Sequence, residues 1–395
     1  MSFLGVVAFV VALLFSIMVH EAGHFLTARK FNMKVTEFFL GFGKRIWSFR
    51  RGETEFGLKA IPAGGYCRIV GMSTREVLPE ADHDRAFVRA SAPKRLVVLG
   101  AGSFLHFVLG FLLLFFLYVA VGVNTVTPII EKVAPCISSS VDGCTATDPA
   151  SPATLAGIKA GDRFVSINGI SVDNWSKSVE QIRASGGKEL NLVIVRGDQT
   201  LNFALTPLSV LRNGKHVGVI GVINQVKLQA QNPIKAAVSA GTLGKELFTS
   251  SISSLISLPT KVPDLFRQTF MGKKRDATSL VGVVGVARVS AQTASDEKLS
   301  VRERIGTFIL IISSLNIFVG IFNALPILPL DGGHMALAFA DGIRNIRARR
   351  KGQPKPAPLD VERLTPVTIV VFALLVSLSL LLLAADIFNP IHLNL

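Results

Sequence analysis

Residues 3–19 read FLGVVAFVVALLFSIMV, and the apolar run ends in HEAGH at residues 20–24. No other stretch constrains the chain so tightly. About 20 consecutive apolar residues, rising 1.5 Å each, cross the hydrocarbon core of a bilayer. The run therefore predicts a membrane-spanning helix. Ionisable side chains within such a helix are costly and mark a function. Helical positions i and i+4 share a face, so His20 and His24 can reach one metal ion. Glu21 is offset by one residue, where its carboxylate can touch a metal-bound water without ligating the ion. Zinc chemistry would bring such a water's pKa to about 7, and Glu21 could take its proton during attack on a peptide carbonyl.

Three more stretches have the length of a span: residues 96–123, 305–326 and 367–385. Hydrophobic residues make up 49% of the 395 and charged residues 17%, a balance that fits an integral membrane protein rather than one soluble domain. The formal charge of +15 does not point to nucleic acid, because the basic residues gather beside the apolar runs. ARKFNMK and GKRIWSFRR follow the first span, APKR precedes the second, and RNIRARRKGQPKP separates the third and fourth. By the positive-inside rule these loops face the cytoplasm. Both termini and the segment 124–303 then lie outside. No Lys or Arg precedes the first span and no small-residue cleavage site follows it, so it is expected to be retained rather than removed as a leader.

A catalytic zinc ordinarily has three protein ligands and one open position. Asp331, in NALPILPLDGGH, is the third candidate. Pro326 and Pro329 break the helix before it, and Gly332 and Gly333 permit an irregular backbone at membrane depth. Topology tests this choice. His20 comes about 26 Å along the first span, near its cytoplasmic end. Asp331 follows about 22 apolar residues of a span running in the same direction, so both motifs reach a similar depth. His106, in GSFLHF, falls near mid-bilayer and reads as a hydrogen-bonded helix-packing residue, with support of a metal ligand from behind as the lesser alternative. His334, after DGG, reads as support for the chain break.

HEAGH in a first span, paired with LDGG after a third, resembles the site-2 protease family of intramembrane zinc metalloproteases, in its bacterial branch with an extracytoplasmic PDZ insert. The likeness covers nearly the whole chain, and LGFGKRIWSFRRGETEFGLKAIPAGGYCRIVGM is similar to that branch's GFG loop and membrane-associated β-hairpin. The resemblance implies Zn2+ held by His20, His24 and Asp331, with Glu21 as general base. It implies that Asn323 contacts substrate or steadies the transition state, and gives Gly41 and Gly43 a similar role. It implies the second cut in regulated intramembrane proteolysis, on single-span membrane proteins such as anti-sigma factors or remnant signal peptides, after a site-1-type protease has acted. The setting would be the bacterial cell membrane, with the active site near its cytoplasmic face. Two departures stand out. His106 occupies a place where the family often has asparagine, and Phe318 stands where some members carry a second asparagine, with Asn316 two residues away. A zinc-binding scaffold would have no need of Glu21, and a metal transporter would need more polar residues along its spans.

The expected fold is thus an α-helical polytopic membrane protein with four transmembrane helices, a membrane-associated β-hairpin and an inserted PDZ-like α+β domain. Its expected segments are a first span at 1–28, a cytoplasmic loop with the hairpin at 29–95, and a second span at 96–123. The PDZ-like domain follows at 124–228, then an extracytoplasmic interfacial region at 229–304 whose helices lie on the outer surface. The third span with LDGG covers 305–334, a basic linker 335–365, the fourth span 366–386 and a tail 387–395. Within the insert, Cys136 and Cys144 are equally compatible with a disulfide and with two free thiols. Cys67 reads as structural. A PDZ domain could capture a peptide end or exclude bulky ectodomains, with steric selection favoured.

Overall fold

The computed structural model describes residues 2–390, apart from 73–75, 139–143, 146, 173–174, 213–214, 274, 276–278 and 360. In chain order it begins with α1 (Ser2–Lys30), β1 (Val35–Arg51), β2 (Thr54–Ile69) and α2 (Ala92–Phe116), the last extended by a π-helical turn over Leu117–Val121. There follow β3 (Val123–Val133), α3 (Pro152–Leu155), β4 (Arg163–Ile167), β5 (Ile170–Ser171), α4 (Trp175–Ala184), β6 (Leu190–Arg196), β7 (Gln199–Leu205), β8 (Leu208–Arg212), β9 (Lys215–Val219) and β10 (Val222–Gln229). The chain ends with α5 (Pro233–Phe270), α6 (Val283–Ser295), α7 (Val301–Asn323), α8 (Asp331–Arg350) and α9 (Thr365–Phe388). Among the described residues, four helices are long and apolar enough to cross a membrane: α1, α2 with its π-helical extension, α7 and α9. The chain divides into two units, residues 1–121 with 231–395, and residues 122–230.

In the first unit, small residues bring α1 and α2 together. A side chain on Gly23 would meet the Ala101 carbonyl group at 2.6–2.7 Å, so the two backbones touch there. Gly110 of α2 is similarly close to Ile317 of α7. The long hairpin of β1 and β2 folds back on itself: residues 37–40 align with 55–58 as well as with 65–68. Gly41 and Gly43 make the bend, with φ of +89° and +82°, values that an L side chain rarely adopts. At Gly41 a side chain would also strike the Ile61 and Lys59 carbonyls. The hairpin's return edge rests on α1, where Gly65 leaves room for Met18.

Two arrangements go beyond the sequence expectation. α5 runs along α2. The Gln231 N–H donates to the Tyr118 carbonyl at one end, and Phe248 packs on Phe107 further down. Eleven helical residues separate those two points on α2, or about 16 Å. The cause is a stripe of Ala236, Ala240, Leu243 and Leu247, whose i, i+3, i+4 spacing gives α5 one apolar face; all but Ala236 join the cluster around Leu114, Leu117 and Ile309. The basic stretch after LDGG is also not all linker. It stays helical to Arg350, because MALAFADGIRNIRARR is rich in good helix formers and places three arginines at the negative end of the helix dipole.

α9 is exposed along nearly its whole length, with only Ala385 and Asp386 buried. The Asp386 carboxylate accepts from Arg275 at 3.1 Å and from the backbone N–H groups of Gly282 and Gly285 at 3.0 and 2.7 Å. Arg275 donates as well to the carbonyls of Asn389 and Leu280.

The second unit is a sheet in the order β10-β3-β4-β6-β7, with β5 paired to β4 and a separate β8-β9 ladder. Alternating residues of β4 and β6, among them Phe164, Leu190, Leu192 and Ile194, meet Trp175 and Ile182 of α4 in one apolar core. Cys136 and Cys144 form a disulfide, which decides between the two readings above. Asp162 is fully buried and accepts two hydrogen bonds from Arg196, at 2.7 and 2.8 Å. Burial alone would raise the Asp162 carboxyl, but the guanidinium and the Lys159 N–H outweigh it and hold the carboxyl below its ordinary value. A lowered carboxylate pKa contributes stability that is present above the unfolded value of about 3.9 and is lost as pH falls through the folded one. Arg196→Ala is therefore expected to make residues 122–230 of the full chain about tenfold more susceptible to protease at neutral pH. The gap should start to narrow below about pH 4 and close once the pH has fallen through the lowered pKa of Asp162, where the parent also loses the pair. Equal digestion of both proteins at pH 7 would contradict this.

Candidate metal centre

α1 carries His20, Glu21 and His24 on consecutive helical turns, and the chain break after α7 delivers Asp331. The break is compact. Residues 324–330 turn back so closely over the start of α8 that side chains at Gly332 and Gly333 would collide with backbone atoms of residues 324–328. These glycines are thus helical and small, rather than the source of an irregular backbone. Asp331 becomes the first residue of α8, where the positive end of the helix dipole favours a carboxylate.

Three atoms converge. His20 Nε2 and His24 Nε2 are 3.1 Å apart, and Asp331 Oδ2 lies 3.0 Å from the first and 3.2 Å from the second. Ligands about 2.05 Å from a tetrahedral zinc stand about 3.3 Å from one another, so the triangle has the size such an ion needs. Proton placement agrees. The Val98 carbonyl, 2.8 Å from His24 Nδ1, can only accept, so Nδ1 carries the proton and Nε2 turns a lone pair inward. Asp331 Oδ2 is buried without a hydrogen-bond donor. Lone pairs facing one another in a buried site are stable only around a cation. The residues present therefore fit a zinc ion.

Glu21 borders this triangle on α1, close to Cys67 of β2. The other sequence candidates are placed elsewhere. Asn323 is the last residue of α7, half-buried. Gly41 and Gly43 serve the bend of the hairpin. His106 stacks obliquely near His20 and is hydrogen-bonded to Asn316. Two contributors escaped the sequence reading, the Val98 carbonyl and Gly102. The signal for the second was the small-residue string GAGS in an otherwise bulky span. A side chain on Gly102 would meet the His20 ring at 2.5–2.7 Å. Gly102→Ala should therefore displace that ring and weaken zinc retention about 10–100-fold against a chelator. Unchanged retention would show that the ring has room to move.

The profile of peptidase family M50 matches residues 8–355. The chain is 33% identical to the zinc metalloprotease Rip1 of Mycobacterium bovis over 412 aligned positions, covering 98% of each protein. It is 32% identical to Rip1 of Mycolicibacterium smegmatis, again over 98% of both. A putative zinc metalloprotease of Mesorhizobium japonicum is 29% identical over 84% of this chain and 88% of its own length. An apolar chain with a buried carboxylate–imidazole triangle, matched end to end by zinc metalloproteases, belongs to peptidase family M50, the site-2 proteases, and is a membrane-bound zinc metalloendopeptidase.

Proposed function

We propose that His20, His24 and Asp331 hold the catalytic zinc, and that the chain makes the second cut in single-span membrane proteins. The observation that carries this reading is the 3.0–3.2 Å triangle of ligand atoms with a carboxylate at its edge. When bound, zinc supplies a Lewis acid that activates water near pH 7 and polarises the scissile carbonyl. Glu21 accepts the proton of the attacking water and returns it to the leaving amine. Asn323 stands at the end of α7, the helix that leads to Asp331, and offers an amide to the developing oxyanion.

A helical substrate hides its carbonyls in hydrogen bonds and must unwind to be cut. The hairpin presents strand edges for an unwound segment to join, and the bend at Gly41 and Gly43 shapes that edge. Basic loops on one side, and a disulfide that suits an oxidising compartment on the other, support termini and insert outside and the site near the cytoplasmic face. The insert, whose strand-and-helix pattern is PDZ-like, screens out bulky ectodomains. The substrates are then proteins already shortened by a site-1-type protease, such as anti-sigma factors or remnant signal peptides, drawn from the lipid bilayer.

The test uses the purified full chain in liposomes with a single-span protein, offered either intact or trimmed outside the membrane. Cleavage of the trimmed form alone, stopped by a zinc chelator and restored by zinc, is the expected result. Equal cleavage of both forms would remove the screening role, and chelator-resistant cleavage would remove the metal.

A further inference from the structure

Of the two candidate histidine ligands, one has a held proton and the other does not. His24 places its Nδ1–H on the Val98 carbonyl. His20 is equally buried, with 7% of its surface exposed, yet its Nδ1 has no partner. An imidazole that turns Nε2 to a metal carries its proton on Nδ1, and that proton is ordinarily held by an acceptor.

His106 supplies such an acceptor. Its ring centroid lies 5.0 Å from that of His20, the two planes tilted by 39°. The two rings touch obliquely with no N–H···N bond between them in this structure; a turn of the His20 ring about its Cβ–Cγ bond, a broad torsion, brings Nδ1–H to His106 Nε2. The tautomer of His106 is set from behind. Asn316 donates its amide N–H groups to the Ile312 carbonyl at 2.8 Å and to the Ser16 hydroxyl at 3.1 Å. Its Oδ1 is left facing His106 Nδ1 at 2.8 Å. An amide oxygen cannot donate, so His106 Nδ1 carries the proton and Nε2 is a bare acceptor in the neutral ring. Among the described residues no His106 nitrogen joins the convergent triangle, so this ring stands behind His20 rather than within the ligand set.

We propose that His106 Nε2 accepts the Nδ1–H of His20. Ser16 of α1, Asn316 of α7 and His106 of α2 then form a relay that fixes the tautomer and ring plane with which His20 meets the ion. His106 is a positioning residue, and the proposal rests on His20 being a zinc ligand. The competing acceptor is Ser103 Oγ, also buried without a partner and adjacent to the glycine on which His20 packs.

The test is zinc affinity, measured by chelator competition on the full chain in detergent, in a Glu21→Gln background that prevents self-cleavage. His106→Leu should bind zinc about 10–100-fold more weakly, and its cobalt-substituted form should show a shifted visible spectrum. His106→Asn, which keeps an acceptor, should recover most of the affinity, and Ser103→Ala should not change it. Asn316→Leu, which frees the His106 tautomer, should weaken binding in the same direction and carries the test if His106→Leu does not fold. Thermal unfolding of the metal-free proteins checks that the fold is intact. Parent-like affinity in both His106→Leu and Asn316→Leu would overturn the proposal, as would a loss in Ser103→Ala alone. His20→Ala separates the two levels. If it keeps zinc, the ligand assignment fails; if it loses zinc while His106→Leu does not, only the relay fails.

Discussion

A Glu21→Gln variant should bind zinc as tightly as the parent and cleave at least about 10²–10⁴-fold more slowly. Glutamine keeps the shape of the side chain but cannot accept a proton at neutral pH. Glu21 does not belong to the convergent triangle, so its neutralisation leaves the three ligand atoms in place. Zinc content by metal analysis and cleavage of a trimmed single-span protein, measured on one preparation, separate the two effects. Parent-like turnover would exclude Glu21 as the base, and loss of zinc would show that its charge helps to hold the ion.

Asp331→Ala should have the opposite signature, losing metal and activity together. It removes the only anion of the triangle and one of three ligands. Zinc bound by full ligand sets in small proteins is worth roughly 10–16 kcal/mol, so deleting one ligand should weaken binding on the order of 10³-fold or more. Two neutral imidazoles would remain, with lone pairs 3.1 Å apart and no charge to offset the ion. The helix that Asp331 starts does not depend on the carboxylate, because no side-chain cap is formed there. The variant should therefore stay folded and metal-free. Zinc at one equivalent after extensive dialysis would take Asp331 out of the site.

The residues of this centre could be named from sequence because each announces itself by being out of place. HEAGH interrupts an apolar run, and LDGG follows another at matching depth. The four helices long and apolar enough to cross a membrane were legible for the same reason: twenty oily residues admit few alternatives. What could not be read depended on partners distant in sequence. The course of α5 along α2 comes from a stripe too mixed to declare itself as buried. The hairpin's doubling back depends on which of two registers residues 37–40 use, and they use both. Gly332 and Gly333 looked like hinges, whereas close packing by the preceding loop is what requires them. The pairing of His106 with Asn316 joins positions 210 residues apart, so neither alone revealed the other.

Among the described residues, the fourth apolar helix gathers its buried polar contacts in one clasp at its end, around Asp386. Removing either member of a buried charged pair costs about 3–5 kcal/mol, so Asp386→Ala should let this helix drift from its neighbours. A cysteine cross-link between its far end and α5 would report the change. Before that clasp in sequence, residues 365–384 are exposed or half-buried, an apolar surface suited to hydrocarbon, which does not distinguish leucine from isoleucine or valine. Relatives should therefore show free drift of spelling along this rod and little at its foot. A chimera bearing an unrelated oily stretch there should still behave as the parent does.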